Sequence, residues 1–283
     1  MSYALGRKVN HDPRSLAFAV GVLPKTAIAS VRWTRRVPVF DQGNLGSCTG
    51  NAAAGLIGTD SAGRQGVTSI TVTPAQAAAT RGVFTAGTYA VDEILAVQCY
   101  ELNTVLDGFP GTCPPDDPGS DGLSAAKTLK ALGLVDTYKH AFSLTALDAA
   151  LQSGPVMLGT TWLESMFNPS SNGRIPVNRT SPVAGGHEYV VDQLDVENGC
   201  YWLTNSWGTS WGLDGRGYIL RADMQWLLSQ QGDVTAPHFL APQPQPVPVP
   251  VPVPVPTPVP AVDPTVLAAY RSLQAWAKTS NVA

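Results

Sequence analysis

The chain has 283 residues, of which 44% are hydrophobic and 14% charged, with a formal net charge of −3. That length suits one large or two small domains, and the apolar fraction is ordinary for a protein that buries a core. The mildly acidic balance, without any basic run, argues against nucleic acid as a partner, and no stretch approaches the ~18 uninterrupted apolar residues of a membrane span.

In chain order, residues 1–10 are polar and lack the apolar core of an export signal, so cytoplasmic synthesis without a signal peptide is expected. Residues 16–23 form a short apolar run that is expected to be buried. Residues 37–40 read as a short strand, and the alanine-rich stretch 49–58 as a helix that begins at or near Cys48. Thr73-Pro74 marks a helix start, since proline is tolerated in the first turn, and helices are expected over 75–83 and 90–101. Residues 104–121, rich in Gly, Pro and Asp, read as a surface loop. Helices follow over 124–132, stopped by Gly133, and over 144–153, stopped by Gly154-Pro155. The texture then changes to strands at 156–161, 188–194, 201–205 and 218–221, with Asn198-Gly199 as a hairpin turn. Helices first and strands later give an α+β protein.

From Pro242 to Pro260 proline alternates with valine, glutamine or threonine. Such a run forms a polyproline rod, on the order of 60 Å long at ~3.1 Å per residue. Asp263-Pro264 then opens a last helix with Val266, Tyr270, Leu273 and Ala277 at helical spacing. A lone helix this short is marginal in water, so it is expected to dock on a partner. The expected division is a main domain at 1–238, a proline/valine-rich linker at 239–262 and a C-terminal amphipathic helix at 263–283 that acts as a tether.

The four cysteines are Cys48, Cys99, Cys113 and Cys200. If Cys48 is a nucleophile an odd number remains, which fits a reducing compartment better than a disulfide framework. Cys99 and Cys113 are read as buried thiols, with closure into a disulfide left open. Asp116, Asp117 and Asp121 lack the spacing of a calcium-binding loop and are read as solvated. No metal or organic cofactor is expected.

Chemistry concentrates in three strings. Gln42 stands six residues before Cys48, in the string Gln42-Gly43-Asn44-Leu45-Gly46-Ser47-Cys48. Gly185-Gly186-His187 lies about 140 residues on, followed by Asn205-Ser206-Trp207-Gly208. Each string is commonplace alone, but their joint order and spacing are not. The order Gln, Cys, His, Asn resembles the papain-like cysteine peptidases, where His and Asn follow the Cys by ~130–150 residues. The resemblance covers roughly residues 35–235. It implies a two-lobed fold, a helical lobe and a β-barrel-like lobe with the active-site cleft between them.

The resemblance also implies roles. Cys48 would be the nucleophile, its thiolate paired with the His187 imidazolium and favoured by a helix N-terminus. Gln42 and the Cys48 N–H would form the oxyanion hole, Asn205 would orient His187, and Trp207 would shield that contact. Gly46, Ser47, Gly185, Gly186 and Trp207 would line the substrate path. Phe167, Trp162 and Met166 are candidates for an apolar pocket or for plain core packing.

Three departures from the family pattern stand out. Thr49 replaces the aromatic residue common after the nucleophile. Glu188 replaces a small apolar residue after the histidine and is expected to be a solvated strand residue. Only a short segment precedes Cys48, so autoinhibition by a full prodomain is not expected, although a short N-terminal plug is compatible with the sequence. The expected function is a cysteine endopeptidase acting on a protein or peptide substrate. A catalytically idle binding or assembly module, and an acyltransferase or cell-wall peptide hydrolase on the same fold, are the alternatives. The alanine-rich form resembles bacterial and bacteriophage members. For a phage-encoded enzyme, association with the virion or release on lysis would follow.

Overall fold

The computed structural model describes residues 3–240. The proline-rich linker from residue 241 onward and the last helix lie outside the described residues. Among the described residues, no helix is long and apolar enough to cross a membrane.

The elements run in the order β1 (Val31–Arg32), α1 (Cys48–Ile57), β2 (Ser69–Val72), α2 (Pro74–Ala79), β3 (Gly87–Ala90), α3 (Glu93–Leu106), α4 (Gly122–Ala131), β4 (Val135–His140), α5 (Leu144–Leu151), β5 (Val156–Leu163), β6 (Val183–Asp195), β7 (Cys200–Thr204), β8 (Arg216–Leu220), α6 (Arg221–Ser229) and β9 (Asp233–Phe239). The helix starts have local causes. Thr73 and Gln76 form a reciprocal capping box on α2. Asp92 caps α3 and Asp121 caps α4, each carboxylate accepting the free N–H groups of the first turn.

Two cores result. The helical lobe packs Leu56 and Ile57 of α1, Leu95 and Leu102 of α3 and Leu129 of α4 into one cluster. The second cluster, on the sheet, centres on Trp162, Tyr189, Tyr201, Leu203, Trp207 and Trp211. Every residue of α1 is buried, which explains its alanine and glycine content: it presents no polar face because no side meets water.

The sheet runs β4-β9-β5-β6-β7-β8, with β1 pairing on β6. This is an open path and not the closed barrel that "barrel-like" suggests; β4 and β8 end it. Strand β6 is longer than expected. It pairs with β5, β7 and β1 and carries the histidine string into the middle of the sheet.

Other expectations need correction. Residues 37–40 form no strand of their own. Leu16, Phe18, Val22 and Leu23 are all exposed, so the apolar run 16–23 is a surface feature. It overlaps a short 3-10 turn capped by Asp12, and of its residues only Val20 packs against the second core. Strand β9 ends at Phe239, one residue into the stretch assigned to the linker. Cys99 and Cys113 are free thiols, as read, although Cys113 is only half-buried.

Asp148 on α5 joins three elements. It accepts from the Tyr201 hydroxyl of β7 at 2.5 Å and from both terminal nitrogens of Arg221 of α6 at 2.5 and 2.9 Å. Arg221 is partly exposed, so most of the cost of breaking the set falls on the buried Tyr201 hydroxyl. Asp148→Ala should lower unfolding stability by roughly 1–3 kcal/mol, read as a shift of the urea midpoint at unchanged slope.

Candidate active site

Cys48 is the first residue of α1 and is fully buried. The backbone N–H groups of Thr49 and of Glu188 on β6 lie close enough to favour its thiolate, so the thiol lies against β6 one residue beyond His187. His187, also fully buried, places Nε2 2.7 Å from Asn205 Oδ1. That oxygen also accepts the Ser206 N–H at 2.8 Å, which fixes it as an acceptor. The proton of the neutral imidazole therefore sits on Nε2, and Nδ1 keeps the basic lone pair. Nδ1 is buried and has no hydrogen-bond partner.

Aromatic rings close around this pair. Trp207 stacks on His187 at 4.4 Å between centroids and 19° between planes, and Trp162 meets the imidazole edge-on at 5.0 Å. Trp162 and Met166 are fully buried core residues and line no open pocket.

Gln42 is set by the loop that carries Asn205. Its Oε1 accepts the Ser206 hydroxyl at 2.6 Å, and its backbone N–H donates to the Ser206 carbonyl at 2.9 Å. Gly208 N–H returns a bond to Phe40 O at 3.0 Å. With Oε1 held, the Gln42 amide nitrogen faces inward, donating to Leu45 O at 2.7 Å and lying 3.4 Å from Ala4 O. Ser206 is thus a positioning residue that sequence reading missed.

Ala4 belongs to a segment crossing the site. Tyr3 stacks on Trp207 at 4.6 Å, and the Ala4 carbonyl accepts Trp207 Nε1–H at 3.2 Å. Gly6 crosses Gly46 so closely that a Cβ on Gly6 would collide with the Gly46 carbonyl, and its backbone N–H lies near the Cys48 sulfur. Arg7 N–H donates to Gly186 O at 3.0 Å, while Ser120 N–H donates to Gly6 O at 2.8 Å and Lys8 N–H to Ser120 O at 2.6 Å. Leu5 packs where a side chain on Gly185 would stand. Of the residues expected along a substrate path, Gly46, Gly185, Gly186 and Trp207 therefore all meet this segment. Ser47 instead lies beneath the helix start and accepts from Asn51 Nδ2.

Burial sets the charge state of the covered site. It pushes the Cys48 thiol up to about 12, against the pull of the surrounding N–H groups, and lowers His187 to about 4, against the Asn205 bond. In this conformation burial therefore disfavours both the thiolate and the imidazolium of the expected pair.

Glu188 is fully buried and not the solvated residue expected from its polarity. Burial pushes its carboxyl well above the usual carboxylate range. Asp117, expected to be idle, accepts the Gly46 N–H at 2.9 Å and the Tyr100 hydroxyl at 2.6 Å, and so pins the loop before the nucleophile. Thr49, the other departure, is buried and accepts from Asn103 Nδ2 of α3 at 3.1 Å. Among the described residues, no group of three or more His, Cys, Asp or Glu is placed to hold a metal ion.

No family model matches the sequence, and no curated protein does. Solved structures do resemble the fold. Xylellain, a cysteine protease from Xylella fastidiosa, is 17% identical, with a TM-score of 0.55 over 84% of this chain and 97% of its own. A procathepsin B from Trypanosoma congolense is 11% identical, with a TM-score of 0.50 over 83% of this chain and 87% of its own. The chain has the two-lobed α+β fold of the papain-like cysteine proteases.

Proposed function

We propose that the chain is a cysteine endopeptidase, acting through Cys48 and His187 once the extended segment at residues 3–8 has left the site. The observation that carries this reading is the histidine: an Nε2 proton committed to Asn205, and a bare Nδ1 buried next to the strand position that meets the Cys48 sulfur. A core histidine normally satisfies both nitrogens.

In the proposed reaction, departure of the segment readmits water to the site and lets the proton of Cys48 pass to His187 Nδ1. The thiolate attacks the scissile carbonyl carbon, and the carbonyl π electrons move to oxygen. Gln42 Nε2–H and the Cys48 backbone N–H stabilise that oxyanion. Its collapse breaks the C–N bond, and His187 protonates the leaving amine. His187 then deprotonates water, which opens the thioester, releases the acid and restores the thiol. The Ala4 carbonyl, held near Gln42 Nε2 and Trp207 Nε1, supports this placement: a peptide carbonyl already sits among these donors.

Full-length protein should cleave short peptides slowly, and Arg7→Ala, which frees the segment, should accelerate that cleavage. In the Arg7→Ala chain, Cys48→Ala should abolish turnover without changing circular dichroism. Gln42→Ala should lower kcat by ~10²–10³ and leave KM nearly unchanged. Turnover that survives Cys48→Ala would sink the reading.

The thiol offers a second readout. At pH 8 an ordinary thiol of 9.0 is about one-tenth thiolate, whereas one at about 12 is roughly one part in ten thousand. The shift is upward, so reactivity at fixed pH falls. Iodoacetamide should therefore label Cys48 far more slowly in the native chain at pH 8 than in urea. Arg7→Ala should restore labelling in the folded state, followed by peptide mass spectrometry.

A further inference from the structure

The sheet places two carboxylates around one glycine. Gly159 on β5 pairs directly with Glu188 on β6 and with Asp233 on β9. Residues opposite one another across neighbouring strands share a face, so both acids stand on either side of a position with no side chain. A Cβ on Gly159 would lie 2.7 Å from Arg7 Nε and 2.9 Å from Asp233 Oδ1. Gly122, at the start of α4, closes the opposite side; a Cβ there would lie 2.6 Å from Glu188 Oε1 and 3.0 Å from Asp233 Oδ2. The result is a notch walled by acids and kept open by two glycines.

The Arg7 side chain fills it, with 1% of its surface exposed. One terminal nitrogen donates to Asp233 and, at 2.6 Å, to the Gln231 carbonyl. Both oxygens of Glu188 are buried without a hydrogen-bond partner, and so is Arg7 Nε. Two unmatched carboxylate oxygens in a closed interior are costly. A planar guanidinium with five donors suits such a wall better than any other side chain does. The notch adjoins the nucleophile, because Arg7 follows Gly6, whose N–H meets Cys48.

We propose that this notch of Glu188, Asp233, Gly159 and Gly122 is the specificity pocket of the cleft. It takes an arginine side chain from the substrate, next to the residue that lies over Cys48, and the chain's own Arg7 occupies it in the closed form. The inference rests on the cysteine-peptidase reading, so its test has one arm that needs no turnover.

In the first arm, full-length Cys48→Ala/Arg7→Ala protein is titrated by calorimetry with the capped peptide Leu-Gly-Arg-Lys-Val. Counterparts with leucine or lysine in place of arginine are titrated alongside. The arginine peptide should bind about tenfold or more tighter than the leucine peptide and severalfold tighter than the lysine peptide. Adding Glu188→Gln or Asp233→Asn should shrink those ratios towards one. In the second arm, the Arg7→Ala chain with Cys48 intact is given a mixed peptide library, and the favoured products should carry arginine beside the scissile residue. Arginine-selective binding without cleavage of any peptide would keep the pocket and overturn the peptidase reading. Cleavage without arginine selectivity, or equal or absent binding of the arginine and leucine peptides, would overturn the pocket. Should Arg7→Ala fail to fold by circular dichroism, Arg7→Lys replaces it, with the same ratios expected.

Discussion

An extended peptide segment hydrogen-bonded to both walls of the cleft is the constraint on which the state of the site depends. Arg7 bonds to Gly186 on the sheet side, and Gly6 and Lys8 bond to Ser120 at the start of the helical side. These bonds leave no room for bulk water above the sulfur and imidazole. Desolvation, more than any particular partner, disfavours the charged form of both groups. The same exclusion makes the ion pair between Arg7 and Asp233 an interior contact, where a missing partner costs far more than it would at the surface. The groups expected to perform chemistry and the group that covers them share one low-dielectric enclosure.

The frame beneath is rigid for a different reason. The nucleophile is the first residue of a helix that is buried throughout. Its distance from α3 is set by close backbone approach: a Cβ on Gly50 would lie only 2.6 Å from Tyr100 N of α3. Across the cleft, Ser206 bonds Gln42 through both backbone and side chain, so the amide, the asparagine and the stacked tryptophan belong to one loop cluster. In the proposed reading, the scaffold holds the geometry and the crossing segment alone governs access to it.

Much of this was legible in the sequence. The strings around Gln42, Cys48, His187 and Asn205 are local, and helices such as α4 and α5 announce themselves by their caps and glycine stops. What stayed hidden is non-local. Arg7 and Asp233 lie 226 residues apart, and nothing in either neighbourhood names the other. Glu188 reads as solvated because polarity ordinarily means exposure; only the pairing of β5 with β6 and β9 turns it inward. The run 16–23 fails in the opposite sense: short apolar stretches carry no period that separates a core segment from a surface one. Strands β4 and β9 escaped notice because their composition is mixed and their burial partial.

The crossing at Gly6 and Gly46 has a consequence in the language of mass action. A blocker carried on the same chain cannot be diluted away. It meets its site at a fixed local concentration, in the millimolar range for short flexible connections. Scarce, isolated targets would find the cleft occupied nearly all the time, and their apparent affinity would fall by the fraction of molecules that are open. Dense arrays of identical sites, such as an assembled shell or a polymeric wall presents, would compete on equal terms. Were the chain to act as proposed, the segment would set a threshold on local target density, one that responds to crowding where an ordinary inhibitor would respond to its own supply.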